Sequence, residues 1–157
     1  MTHTTIETRP AVHSTFRLER YYEARPERVF HAFADTAAKR RWLVEGDGFE
    51  VFEHEADFRV GGREFSRFRY ATGPEITNET IYQDIVPDAR LIYCYRMTLG
   101  GAPMSASLTT IEFVPQGSGT LLILTEQGAY LDGSDDGTGR EEGMRGLLEI
   151  LAKEVEG

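Results

Sequence analysis

A single cysteine, Cys94, is all the thiol this sequence of 157 residues contains, so no disulfide and no thiolate metal cluster can form within one chain. That sparing use suits a reducing compartment. No apolar run is long enough to span a bilayer, which excludes membrane insertion through a helix. Residues 1–16, MTHTTIETRPAVHSTF, have neither the basic start nor the apolar stretch of a secretory signal. The reading is a flexible tail over 1–12 and a cytoplasmic protein. Positive charge is also in short supply: 17 Lys and Arg face 26 Asp and Glu, a formal net charge of -9. Such a surface repels phosphate backbones, so nucleic acid is excluded as a partner. The one basic run, Lys39-Arg40-Arg41, leads into Trp42 and reads as a solvated helix end.

Motifs that carry chemistry are equally scarce. The four histidines, His3, His13, His31 and His54, form no H-x-x-x-H pair and have no neighbouring cluster of ligands, so no metal is expected. His31 falls on the polar side of a helix and reads as a surface residue. There is no G-x-S-x-G elbow and no Walker loop, and Gly117 and Gly119 fit a hairpin. Ser105, Ser107, Thr109 and Thr110 read as ordinary strand residues with no base nearby in sequence. The loop from Asp132 to Gly143 has oxygen donors at relative positions 1, 3 and 5 and glycine at 6, as a calcium loop would. It places Gly143 where a bidentate glutamate is needed and Arg140 at position 9, so it reads as a turn. No cofactor is expected.

What is present is ordinary globular material, 40% hydrophobic and 27% charged, and the length fits one domain, taken as residues 13–157. A strand is expected from His13 to Tyr22. Pro26 suits a first helical turn, and Val29, Phe30 and Phe33 share one face of a short helix. Asp35 can cap a further turn or two through Ala37, Ala38 and Trp42, which Gly46 and Gly48 end. Between Phe49 and Glu126 the sequence is rich in Val, Ile, Tyr, Phe and Thr, with turn residues at regular intervals. Strands are expected near 49–55, 63–72, 76–86, 90–98, 105–114 and 120–130. Their short connections favour an antiparallel meander. Thr138-Gly-Arg-Glu141 matches a capping box, and Met144, Leu147, Leu148, Leu151 and Val155 then keep helical rhythm. About 18 residues at 1.5 Å each span roughly 27 Å, enough to cross a sheet of six or seven strands. The fold class is α+β: a curved antiparallel sheet of about seven strands, two short helices after the first, and a long C-terminal helix packed over it.

Several local runs stand in a fixed order along these elements: Pro26-Glu-Arg-Val-Phe-His-Ala-Phe33, Arg41-Trp42 and Asp57-Phe-Arg-Val-Gly-Gly-Arg63, followed by Asp84-Ile-Val-Pro-Asp-Ala-Arg-Leu-Ile-Tyr93, Gly119-Thr-Leu-Leu-Ile-Leu-Thr-Glu126 and Glu142-Gly-Met-Arg-Gly-Leu-Leu148. Together with the order of elements they resemble the SRPBCC or START-like superfamily, in its branch similar to activators of the heat-shock-protein-90 ATPase. The resemblance implies a helix-grip fold with a cavity between sheet and final helix, used elsewhere in the superfamily for lipids, hormones, polyketides and aromatic compounds. The sequence departs from the branch at Met144, where a tryptophan usually follows the glycine, so that edge of the cavity is expected to be pliable.

Candidate cavity residues are the large apolar residues on the expected inner faces, Phe33, Trp42, Leu124, Met144 and Leu148, and the polar residues that interrupt the strands. The latter are Glu64, Arg67 and Arg69, then Tyr82 and Asp84, then Tyr93 and Tyr95, then Glu126 and Gln127. Of these Glu64, Arg69, Tyr82, Tyr93, Tyr95 and Glu126 enter the candidate set, and Glu126 and Tyr82 lead it. Leu122 and Leu124 precede Glu126 on its own face, and tyrosine suits a half-apolar wall. Three functions compete. The first is a binding domain for a small apolar, aromatic or lipid-like ligand. The second is a cofactor-independent cyclase or hydratase using acid and base groups of the cavity. The third is a surface-acting co-regulator of a chaperone ATPase, which the resemblance implies. An exposed strand edge would support a homodimer.

Overall fold

The computed structural model describes residues 10–44 and 48–157. His3, Gly46 and most of the 1–12 tail lie outside the described residues. The chain runs β1 (Val12–Tyr22), α1 (Pro26–Ala34), α2 (Thr36–Lys39), a π-helical turn (Arg40–Val44), β2 (Phe49–Ala56), β3 (Arg63–Tyr70), β4 (Ile76–Val86), β5 (Arg90–Leu99), β6 (Ala102–Gln116), β7 (Gly119–Tyr130) and α3 (Thr138–Glu156). All seven strands join one antiparallel sheet in the order β1-β7-β6-β5-β4-β3-β2. From β2 to β7 the sheet is a meander. Because β1 pairs with β7, the helical segment after β1 must carry the chain from one edge of the sheet to the other. This is the helix-grip arrangement.

Pro26 opens α1, where its missing N–H costs nothing, and Val29, Phe30, Ala32 and Phe33 are buried. Phe30 and Phe33 meet the ring of Phe113 on β6 edge-on, at 5.5 and 5.6 Å between centroids. Asp35 ends α1 and caps α2, its Oδ2 accepting from the Ala38 amide at 2.9 Å. The π-helical turn then brings in Trp42, which packs on Phe33 and donates from Nε1 to the Ala32 carbonyl at 2.7 Å.

The densest core lies between the β1-β7-β6 side of the sheet and helices α1 and α3. Phe16, Leu18, Ile111, Phe113, Leu122 and Leu124 face Leu148, Leu151, Ala152 and Val155 there. Each buried leucine contributes about 2 kcal/mol. Surface pairs such as Arg20–Glu149 and Arg41–Glu154 add less than about 1 kcal/mol, so burial of its apolar face holds α3 in place. Tyr22 adds a buried tie, donating to the Leu148 carbonyl at 2.7 Å.

The start of α3 departs from the capping-box expectation. Thr138 is already the first helical residue and Gly137 is the cap, with a left-handed φ of 105°. A side chain there would strike Ser14, whose Oγ lies 2.4 Å from the position a Cβ would occupy. The free amides are met from upstream. Asp135 Oδ1 accepts from Gly137 and Gly139 at 2.9 and 3.0 Å, and Asp136 Oδ1 accepts from Thr138 at 3.0 Å. Among the described residues, no helix is long and apolar enough to cross a membrane.

Candidate functional site

Over β1 and β7 the helix α3 sits on packed side chains, but toward β3, β4 and β5 it stands clear of the sheet. A cavity of about 660 Å³ fills the gap. Its apolar wall comes from Phe33 on α1, Trp42, Leu43 and Val44 on the π-helical turn, Phe49 and Val51 on β2, Phe68 on β3, and Leu124 on β7. Helix α3 supplies Met144, Leu147, Leu148 and Ile150, together with Gly139, Gly143 and Gly146. These glycines follow one another at helical spacing, and a Cβ at Gly143 or Gly146 would meet nothing within 4 Å. All three are exposed where they line the cavity, so side chains at Gly143 and Gly146 would extend into open space at its edge.

Two polar clusters interrupt this wall. In the first, Glu64 on β3 is buried and accepts from three donors. Lys39 Nζ reaches Oε1 at 2.7 Å, the Tyr82 hydroxyl reaches the same oxygen at 2.5 Å, and His54 Nε2 reaches Oε2 at 3.0 Å. Lys39 also donates to the Tyr82 oxygen at 3.0 Å. Burial pushes the Glu64 carboxyl up, but the Lys39 ammonium and the three hydrogen bonds outweigh it and hold the pKa at about 2. Glu64 is thus a carboxylate at any physiological pH. The Tyr82 phenol, desolvated and beside that carboxylate, is pushed far above its usual range.

The second cluster centres on Glu126 of β7, which is fully buried. It accepts from Tyr95 and Thr109, each at 2.8 Å, and the Arg140 guanidinium stands 3.8 Å away. Arg140 reaches down from α3 to donate to the Tyr95 oxygen at 2.8 Å and to Ser105 at 2.9 Å. Here desolvation wins over the neighbours, and the Glu126 carboxyl is raised above its ordinary value. Tyr95 and Arg140 screen it from the cavity, so its role is to anchor the two groups that do line the wall.

Of the candidate residues, Phe33, Trp42, Glu64, Tyr82, Tyr93, Tyr95, Leu124, Met144 and Leu148 lie along the cavity, and Glu126 lies immediately behind it. Arg69 does not. It stands on the outer face, paired with Glu50 at 3.2 Å and lying over Phe52. Glu64, Ser66, Phe68 and Tyr70 take the inner face of β3, and strand alternation sends Arg67 and Arg69 outward. Asp84 likewise pairs with Arg90 at the surface, and Gln127 faces outward. In the loop before α3, Asp132 accepts from the backbone and hydroxyl of Ser134. Asp135 and Asp136 likewise accept from backbone amides, so these carboxylates serve the turn.

This fold and cavity can be set beside known proteins. Residues 23–156 match the family described as activator of Hsp90 ATPase homolog 1-like proteins. The chain belongs to this family. The crystal structure of the Mll3558 protein of Rhizobium loti is 58% identical, with a TM-score of 0.87 over 93% of this chain and 99% of that one. A protein of Rhizobium leguminosarum is 37% identical, with a TM-score of 0.89 over 94% and 97% of the two chains. An AHSA1-like protein of Aeromonas hydrophila, at 17% identity and a TM-score of 0.66 over 91% and 92%, shares the fold. No match is found among functionally curated proteins.

Two residues of the first cluster escape a reading of the sequence alone. Lys39 is buried, where a solvated helix end was expected. Its position three residues before Trp42 puts both on one helix face, and that was the available signal. His54 is hidden by a β-bulge. Counting by twos from Val51 puts Glu53 inside and His54 outside, but the register slips between Val51 and Glu53, which turns His54 toward the cavity beside Ser66. His31, by contrast, is exposed.

Proposed function

We propose that the chain is a small-molecule binding domain that holds an apolar, aromatic or lipid-like ligand in the cavity between the sheet and α3. The observation that carries this reading is the cavity's composition: about 660 Å³ walled largely by aromatic and aliphatic side chains, with the hydrogen-bonded clusters around Glu64 and Arg140 as fixed polar points beside Ser66, Asn78 and Thr80. That is the pattern of a site that gains affinity from apolar burial and orientation from a few fixed polar atoms. Family membership supports ligand binding in general. Binding is favoured over acid–base catalysis because Glu64, the carboxylate on the wall, stays ionised down to a pH of about 2, and Glu126 is screened by Tyr95 and Arg140.

The test uses N-phenyl-1-naphthylamine, a neutral probe whose emission rises in apolar surroundings. It should bind the protein at a stoichiometry of one, and the double substitution Gly143→Leu with Gly146→Leu should abolish binding while far-UV circular dichroism stays native. Unchanged binding by that variant would place the site elsewhere and remove the proposal.

A further inference from the structure

Arg140 brings a positive charge to the cavity wall without a carboxylate in hydrogen-bond contact. Its guanidinium is held by hydroxyls alone: Nη1 donates to Tyr95 at 2.8 Å and faces Ser107 at 3.5 Å, and Nη2 donates to Ser105 at 2.9 Å. Among the described residues its only paired carboxylate is Glu126, 3.8 Å away, with the Tyr95 hydroxyl bonded to both. The ring centres of Tyr95 and Tyr130 stand 5.5 and 5.3 Å from the guanidinium carbon and help to fix the plane of the group. Lys39, the other cation on the wall, differs in having its carboxylate, Glu64, directly bonded at 2.7 Å.

A guanidinium has five N–H groups, and these contacts engage three of them. The Nε–H and one N–H of Nη2 are left over. Nε and Nη2 form one edge of the group, a fork that matches the two oxygens of a carboxylate. That edge is accessible. Among the described residues, buried side-chain nitrogen and oxygen atoms without a hydrogen-bond partner occur only at His54 and Tyr130, so the unbonded Nε of the half-buried Arg140 is not sealed off. Arg140 lines the cavity beside Tyr95, Gly139 and Gly143. Gly143 follows it by three residues on the same helix face and has no side chain to cover it. A partly desolvated cation gains more from an anion than from neutral hydroxyls, and a bonded anion is what this one lacks.

Resting on the cavity as the ligand site, we propose that Arg140 is the specificity residue that receives a carboxylate carried by an apolar ligand, so that the molecule held is an amphipathic acid and not a neutral one. The carboxylate takes the edge formed by Nε and Nη2, and the apolar body of the ligand lies against the aliphatic and aromatic wall. Tyr95, Ser105 and Ser107 are the positioning residues that hold the guanidinium in place. Lys39 and Glu64, matched to one another, take no part in this contact.

The experiment compares decanoate with 1-decanol, which has the same chain and no charge, as competitors for N-phenyl-1-naphthylamine bound to the full chain, both kept below their micellar and solubility limits. A charged hydrogen-bonded contact predicts that decanoate displaces the probe at a concentration about tenfold lower than the alcohol, or less. Arg140→Gln should bring the two within about twofold of each other, whereas an arginine serving only as a strut between α3 and the sheet would leave their ratio unchanged. Carboxyl-labelled decanoate on the wild-type protein gives a readout that needs no variant to fold. Its carbon-13 spectra should show the bound carboxyl still ionised about one pH unit below the point at which the unbound acid titrates, because an adjacent guanidinium favours the charged form. Three results would overturn the role of Arg140 while leaving the cavity as a binding site: a decanoate no more potent than the alcohol, a ratio that survives Arg140→Gln, or a bound carboxyl that titrates like the free one. If the naphthylamine itself does not bind, the cavity reading falls and this proposal with it.

Discussion

Removing Lys39 strands a carboxylate. In Lys39→Met, Glu64 keeps its burial and loses its counter-charge, and breaking a buried pair on one side costs about 3 to 5 kcal/mol. Urea titration at pH 7 should show a loss of that size. Its pH dependence follows from the carboxyl's shift. Glu64 falls from an ordinary 4.5 to about 2, so the native state is stabilised above 4.5, on the order of 3 kcal/mol, and that contribution disappears as the pH drops from 4.5 toward 2. The difference between wild type and Lys39→Met should therefore narrow across that window. A difference that stays constant to pH 2 would mean the lysine acts through packing alone. Glu126 runs the other way. Its folded pKa is raised, so its contribution is present below 4.5 and is lost as the pH rises from there through the folded value. Glu126→Gln should remove that decline, read as a flatter plot of melting temperature against pH above 4.5.

At the scale of the element, the entrance to α3 separates two capping schemes. If the carboxylate of Asp135 satisfies the first amides, Asp135→Ala should cost about 1 kcal/mol while Thr138→Ala changes little. The opposite ranking in thermal melts would restore the capping box. The helix itself was legible in the sequence because Leu148, Leu151 and Val155 repeat at helical spacing and nothing else in the chain could bury that face. The strands were legible for a similar reason, since turn residues bracket each β-branched run. Inner and outer faces were less so. Strand alternation puts Glu64 and Arg69, five residues apart, on opposite faces, yet both were expected in the cavity because their residue types were weighed above their spacing; at His54 a bulge reverses the count, and nothing in a run such as Phe49-Glu-Val-Phe-Glu-His54 announces where an extra residue will be absorbed. Lys39 was obscured for a different reason. Three consecutive basic residues resemble a solvated end, and only the partner waiting 25 positions later on β3 makes one of them an interior residue.

Across the whole molecule, the packing is lopsided. The β1-β7-β6 side carries most of the buried core, whereas β2 and β3 are half-exposed along their length and form the far limb of the grip. Hydrogen exchange should follow this division, with amides of β2 and β3 exchanging by local opening well before those of β6 and β7. A ligand in the cavity touches both limbs, so binding should slow exchange in β2 and β3 more than elsewhere. Uniform protection would indicate that the limb does not move independently.

The glycines of α3 have a consequence for how such a protein diversifies. Gly143 and Gly146 are interior helix positions, each less favourable than alanine by up to about 1 kcal/mol, and a side chain at either would project into open space. Enlarging them would raise helix stability and narrow the edge of the cavity in the same step. Access to the cavity is thus adjustable from one turn of helix, without disturbing a strand. If the cavity holds a ligand, these two positions give the scaffold a short mutational route to ligands of different size.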